Sequence, residues 1–443
     1  MTTNPSLQPN DGEPRRLVAL TNRDFRLFWS GQLISNVGSE MQLIAINWHV
    51  FTLLRNQSVI LSFFGRDLTL GAEALGLGAV GLVRIVPIAI FALAGGMLAD
   101  VRDRRTMIIW TQSVAAFFAI VLAGITLAGR ESLFFIYLLT ALTSATQAFE
   151  SPAKQSLVPN LVPRHHLTNA LSLNTLVFHI STIVGPAIAG VMVVSVDIGV
   201  VYGVNALSFF ALIIAAVLMR YRGGAASVEG FGWQPFVEGL RFTFNTRLIR
   251  STMLLDFFAT LFSSARTMLP LVAGDILGVG AAGYGILATA QSVGALLAGV
   301  VLSLRNEIKQ QGRVLLISVA IYGLATALFG ISKVFALSYF LFALTGAGDT
   351  VSTVIRHTLR QMITPDRLRG RMSGVNMIFF MGGPQLGELE AGLVAAVFGV
   401  PLAIFTGGLA TVLLTGWIAW QYPRLRNYKA GDYVNMDTEK SLK

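Results

Sequence analysis

Cysteine is absent from the 443 residues. That excludes disulfides, a thiol nucleophile and any cysteine metal site. Charge is also scarce: acidic and basic residues together make 13% of the chain, against 54% hydrophobic residues. A soluble domain carries about 25% charged residues. With a mean hydropathy of +0.65, the chain is expected to reside in a membrane. The five histidines are dispersed, and no H-E-x-x-H, P-loop or Ser-His-Asp spacing brings reactive groups together. A membrane enzyme is the weaker reading, and neither a cofactor nor a metal is expected. His165-His166 reads as a solvated pair in a loop. The net charge of +10 comes from basic residues that punctuate apolar runs without forming a patch or arm, so nucleic acid is not an expected partner. The first 22 residues are polar and lack an apolar core, so no cleaved signal peptide is expected.

What the chain has is long apolar runs. A bilayer core of about 30 Å needs about 20 apolar residues in a helix. Twelve stretches qualify: about 27–52, 75–98, 106–128, 132–152, 168–195, 198–219, 249–273, 281–303, 313–331, 334–355, 372–397 and 399–420. Prolines such as Pro87, Pro186, Pro270 and Pro384 are compatible with membrane helices. Placing both termini in the cytoplasm leaves Arg55, Arg66, Arg130 and Lys333 outside and Arg84 and Arg266 within spans; the other 27 of the 33 basic residues then face the cytoplasm. The positive-inside rule selects that orientation.

The expected fold class is all-α integral membrane, with twelve transmembrane helices in two pseudo-symmetric six-helix halves. Residues 1–26 form a cytoplasmic tail, 27–219 the first half, 220–248 a linker, 249–420 the second half and 421–443 a second cytoplasmic tail. Within the linker, "GFGWQPFVEGLRFTF" places Trp233, Phe236 and Leu240 on one face, as in a helix lying along the membrane surface. A shift of 202 residues superposes Pro163 on Pro365, Asn174 on Asn376, Gly185 on Gly387 and Gly190 on Gly392. Parallel repeats of this kind occur in transporters that bind substrate between their halves near the midplane.

Ionisable residues inside the spans are costly and mark functional positions. Counted from the basic flank of each span, Glu40 lies about 21 Å deep, Arg84 and Arg266 about 24 Å, and Glu388 about 25 Å, with Glu390 one step beyond. Asp256, Asp349 and Glu150 lie nearer the basic rim. A carboxyl in such a layer can be held protonated by desolvation and released by water or an arginine, which a proton-coupled carrier requires. Glu388 and Glu390 are about 200° apart around a helix, so they do not face the same cavity.

The loop after the second span reads "GGMLADVRDRRTMII". Gly96, Asp100, Arg104 and Arg105 form a candidate latch in which the aspartate and an arginine pair across helix ends. Gly96, Leu98, Asp100, Arg104, Arg105 and Ile108 resemble the signature G-x-L-a-D-r-x-G-r-[RK]-x-x-[IL] of the major facilitator superfamily; Val101 and Asp103 depart from it. "NRDFRLFWSGQLISNVGSEM", "ESPAKQSLVPNLVPRHHLTNALSLN" and "TPDRLRGRMSGVN" are similar to the branch containing enterobactin, macrolide and multidrug exporters.

That resemblance implies a proton-coupled exporter of a small amphiphilic molecule such as a drug or siderophore. It would work by alternating access as a monomer in a bacterial cytoplasmic membrane. Its partners would be the substrate, protons and the lipid bilayer. An importer or lipid flippase of the same fold, or a sensor, are the alternatives. Gly185, Pro186 and Gly190 match part of the antiporter element G-P-x-x-G-G, with Ala189 in place of a glycine.

In the family architecture the first, fourth, seventh and tenth spans line the cavity. That implies Gln42, Asn47, Trp48, Gln147, Phe257, Met268 and Tyr339 as substrate contacts. The second and eleventh spans meet there across the halves, which suggests that Arg84 pairs with Glu388 when the outer side is closed. Glu390 would then pair within the second half, with Arg266 for example, or stay neutral. The proton-coupling or gating set is Glu40, Arg84, Asp256, Arg266, Glu388 and Glu390.

Overall fold

The computed structural model describes residues 17–63, 66–222, 233–305 and 308–429. Most of the N-terminal tail, the first part of the linker and the end of the C-terminal tail lie outside the described residues. Long helices occupy each apolar run. The first group is α1 (Arg23–Leu54), α2 (Ala72–Val101), α3 (Arg104–Leu127), α4 (Leu133–Leu157), α5 (Leu167–Ser195) and α6 (Ile198–Leu218). The linker helix α7 (Trp233–Asn245) leads to α8 (Arg247–Phe262) and the short α9 (Leu269–Leu271). Then follow α10 (Gly280–Leu304), α11 (Gln311–Ile331), α12 (Phe335–Ile363), α13 (Asp366–Phe398), α14 (Val400–Gln421) and the short α15 (Pro423–Arg426).

Among the described residues, nine stretches are long and apolar enough to cross a membrane. Helices α1, α12 and α13, of 32, 29 and 33 residues, match them in length but are interrupted by polar side chains. Helix starts follow local chemistry. The Asp103 carboxylate accepts from the Arg105 N–H at 3.1 Å at the head of α3, and Asp197 accepts from Gly199 at 2.7 Å at the head of α6. Each satisfies a backbone donor that the first helical turn leaves open.

The expected seventh span, 249–273, is not one continuous helix. Helix α8 stops at Phe262, a 3₁₀ turn covers Arg266–Met268, and the segment ends in a π-helical turn at Val272–Ile276. Pro270 lacks an N–H to donate, and Gly278 and Gly280 both adopt φ of +64°. Left-handed backbone of that kind favours glycine. Hydropathy counts apolar residues and is blind to such a break. A hairpin of β1 (Ser58–Phe63) and β2 (Arg66–Gly71) also joins α1 to α2, in antiparallel register with Val59 opposite Leu70.

Hydrophobic packing explains the overall arrangement. At the end away from the basic loops, one continuous core draws on both helix groups, including Phe51, Leu77, Leu139, Leu269, Tyr284, Phe342 and Ala395. At the basic end the core divides. One cluster, around Phe25, Phe28 and Leu157, belongs to α1–α6; another, around Leu255, Leu315 and Leu359, belongs to the later helices. The two groups therefore touch at one end and part at the other.

Their seams are built from small residues. A methyl placed on Gly78 of α2 would lie 2.9 Å from the Gly392 Cα of α13, and one on Gly190 of α5 would lie 2.6 Å from the Gly285 Cα of α10. Only glycine permits such backbone approach.

The expected linker helix is present at Trp233–Asn245. Leu240 and Phe242 of α7 pack against Ile249 and Met253 of α8 and Val375 of α13. Phe244 of the same helix remains 39% exposed. The side chains of Trp233 and Phe236 lie outside the described residues.

Candidate functional site

Where the two groups meet, α1 presents Glu40 toward the broken segment after α8. Its Oε2 accepts from Arg266 Nη2 at 2.8 Å, and both side chains are half-buried. Glu388 on α13 is 8% exposed and is close enough to feel the charges of Arg84 and Arg266. It lies against Gly81 of α2: a methyl there would sit 2.9 Å from Glu388 Oε2. The four charges thus bridge the seam, two from each helix group, at the depth where contact gives way to separation.

Two expected pairings are corrected. Arg84 and Glu388 are not within ion-pair distance, because Glu388 packs against the glycine face of α2 while Arg84 is one turn further on. Arg266 binds Glu40 rather than Glu390. Among the described residues Glu390 makes no ion pair and is half-buried.

A second charged cluster lies nearer the basic end. Asp256 of α8 binds Arg356 at 2.9 Å and Arg360 at 3.4 Å, both on α12, and Arg356 also reaches Asp349 at 3.5 Å. Arg360 donates to the Thr252 hydroxyl at 3.3 Å and to the Asn376 amide oxygen. Arg356 and Arg360 are only 2% and 3% exposed. Counting both as part of a solvated flank missed them, although their i,i+4 spacing opposite Asp256 could have raised the question. In the first group, Glu150 binds Lys154 and accepts from Gln112 at 2.6 Å; Gln112 in turn accepts from Ser35 at 2.9 Å.

The closed end has its own contacts. Trp48 of α1 stacks on Tyr284 of α10, with centroids 5.7 Å apart and planes at 20°. The Phe51 ring fills the space beside Gly274, and Arg55 pairs with Asp275 at 3.2 Å. Tyr284, Arg55 and Asp275 had not been expected at the site.

A family model described as "Transmembrane secretion effector" matches residues 16–442. The chain belongs to this family of the major facilitator superfamily. The staphyloferrin A transporter of Staphylococcus aureus is 24% identical over 402 residues, covering 88% of this chain and 94% of that protein. The enterobactin exporter of Citrobacter koseri is 26% identical over 331 residues, covering 73% and 79%. In fold, the chain resembles a bacterial homologue of the human lysosomal transporter Spinster, in an inward-facing and unoccupied conformation. The TM-score is 0.70 at 12% identity, covering 94% and 98%. A bacterial homologue of ferroportin, also inward-facing, gives 0.62 at 16% identity, covering 89% and 97%. The protein is a transporter of major facilitator type.

Read as a facilitator, the signature loop ties helix ends together within one half. Arg104 donates to the Ser156 carbonyl at the end of α4 at 3.3 Å, and Arg105 to the Val217 carbonyl at the end of α6 at 2.8 Å. Cations suit those carbonyl ends. Asp103, which departs from the signature, caps α3. Gly96 is half-buried on α2, and the Asp100 side chain lies outside the described residues. Gly185 abuts Glu40 and Val37 of α1, and the Pro186 carbonyl and Gly190 abut Gly285 of α10.

Of the cavity candidates, Gln147 is exposed and Phe257 half-buried. Tyr339 shares a hydrogen bond with Thr289 at 3.2 Å, and Trp48 belongs to the closed end. Asn47 is buried with its amide oxygen unpartnered. Gln42 instead accepts from Asn205 of α6 at 2.5 Å, and Met268 is fully buried. In this conformation neither faces open space.

Proposed function

We propose that this facilitator is a proton-coupled exporter of a small amphiphilic molecule, a drug or a siderophore. It would have twelve spans in two halves, 27–219 and 249–420, joined by a linker at 220–248. The basic end is read as cytoplasmic by the positive-inside rule. Both termini then lie inside a bacterial cytoplasmic membrane, and the conformation opens inward. The siderophore reading draws on the staphyloferrin A and enterobactin relatives, and the monomeric state is part of the same proposal.

The observation that carries the reading is the Glu40–Arg266 pair across the seam. A carboxylate in the membrane layer that holds two halves together loses that hold when protonated. A proton arriving from outside would neutralise Glu40, loosen the closed end and favour outward opening. After reclosure, release to the cytoplasm would restore the pair. That sequence is alternating access driven by a proton gradient.

Everted vesicles energised by respiration test it, with ethidium and enterobactin as probes. The expected result is accumulation of at least one probe, lost when a protonophore collapses the gradient and lost in Glu40→Gln. Accumulation that persists at full rate without the gradient would overturn proton coupling. Movement of the probe only out of everted vesicles would overturn export.

A further inference from the structure

Among the described residues, Arg84 stands apart from the membrane cations Arg266, Arg356 and Arg360, which are all paired. It is half-buried, and among the described residues it makes no ion pair and no hydrogen bond. Glu388 feels its charge without touching it and is itself packed behind Gly81. Seven residues on, and so on nearly the same stripe of α2, Phe91 is 40% exposed and packs on Phe149 of α4 with centroids 5.8 Å apart. That stripe runs along the part of α2 that has left α13, toward the basic end. On the facing turn of α13, Gln385 has a buried amide oxygen without a partner.

A guanidinium offers five N–H donors in a planar fork and matches an anionic oxygen pair. Here those donors have no hydrogen-bond partner among the described residues, one turn beyond the Gly81 contact with α13. We infer that Arg84 is the anion-recognition residue of this transporter, and that its cargo carries a carboxylate or comparable anionic oxygen on an otherwise amphiphilic body. This rests on the transport reading and deepens it: it names the charge of the substrate and the side chain that reads it. Phe91 offers an apolar face on the same stripe, which suits an aromatic or aliphatic portion beside the anion. A cationic amphiphile would instead meet a guanidinium with no direct ion-pair partner among the described residues.

Equilibrium dialysis of the full chain in nanodiscs tests the assignment with three probes: salicylate, its neutral amide salicylamide, and ethidium. Saturable salicylate binding about tenfold or more tighter than salicylamide is expected, the scale of charge-assisted hydrogen bonds. Arg84→Gln should abolish that preference and Arg84→Lys should retain part of it. Both variants are first shown to elute and melt like wild type. The same preference in Arg84→Gln, tighter binding of ethidium, or no saturable salicylate binding would overturn the inference. Proton-driven flux in wild type together with salicylate binding that Arg84→Gln leaves unchanged would leave export standing while removing the anion site. Loss of all proton-driven flux in wild type, with Arg84-dependent salicylate binding intact, would remove export alone.

Discussion

At the residue scale, the chain separates charges that are tied from charges that are free to act. Arg356 is tied: it bridges Asp256 and Asp349 while 2% exposed. Arg356→Leu should strip two carboxylates of their shared cation and destabilise the second half by about 3–5 kcal/mol. The expected sign is a large fall in melting temperature in detergent, with Asp256→Asn falling at least as far because it leaves Arg360 without a carboxylate partner. A melting point unchanged in Arg356→Leu would show that the cluster carries no stability. The Glu40–Arg266 pair is half-buried and wetter, so Arg266→Gln is expected to cost about 2 kcal/mol. Adding Glu40→Gln should recover part of that loss in the double variant, because no lone charge remains; a strictly additive double variant would argue against a direct pair.

At the element scale, the seams and the broken segment set what can move. Among the described residues, helices α2 and α13, and α5 and α10, meet through glycines at the closed end, so widening a seam should favour opening there. Gly190→Leu is expected to raise labelling at the closed end, read with an impermeant maleimide on a cysteine at Ala273, which is fully buried there. The absence of native cysteine makes such labelling clean. Equal labelling with and without Gly190→Leu would show that the seam does not hold that end.

The 263–280 stretch, with its 3₁₀ and π turns and two left-handed glycines, meets the end of α1 through Arg55–Asp275. Cysteines at both positions, bridged by a short bifunctional thiol reagent, should stop transport reversibly. Unchanged transport after complete bridging would show that α1 and this segment need not part. This break was not legible in the sequence, because hydropathy averages over a window and Pro270 is tolerated in unbroken membrane helices.

At the scale of the whole molecule, the membrane class, the helical fold and the superfamily are legible in the amino-acid sequence. Apolar run length, the placement of lysine and arginine, and the "GGMLAD" loop each depend on composition or local order. Partnerships between side chains are less legible. Depth counting puts Glu40, Arg84, Arg266 and Glu388 in one layer, yet it pairs Arg84 with Glu388, because rotation about each helix axis is set by tertiary packing. The glycine face of α2 turns Glu388 against Gly81 and leaves Arg84 beyond it. Arg356 and Arg360 are hidden for a related reason: a long helix that continues past the apolar run looks like a solvated end until its partner helix is known.

The central claim is that the Glu40–Arg266 bond holds the closed end shut and that its protonation releases it. Spin labels on cysteines at Asn160 and Lys309, both exposed at the basic end of opposite halves, report the gap directly by electron–electron distance measurement. Acid should break the bond, open the far end and shorten this distance, and Glu40→Gln should show the shortened population already at neutral pH. A distance distribution that is the same in acid, at neutral pH and in Glu40→Gln would contradict it.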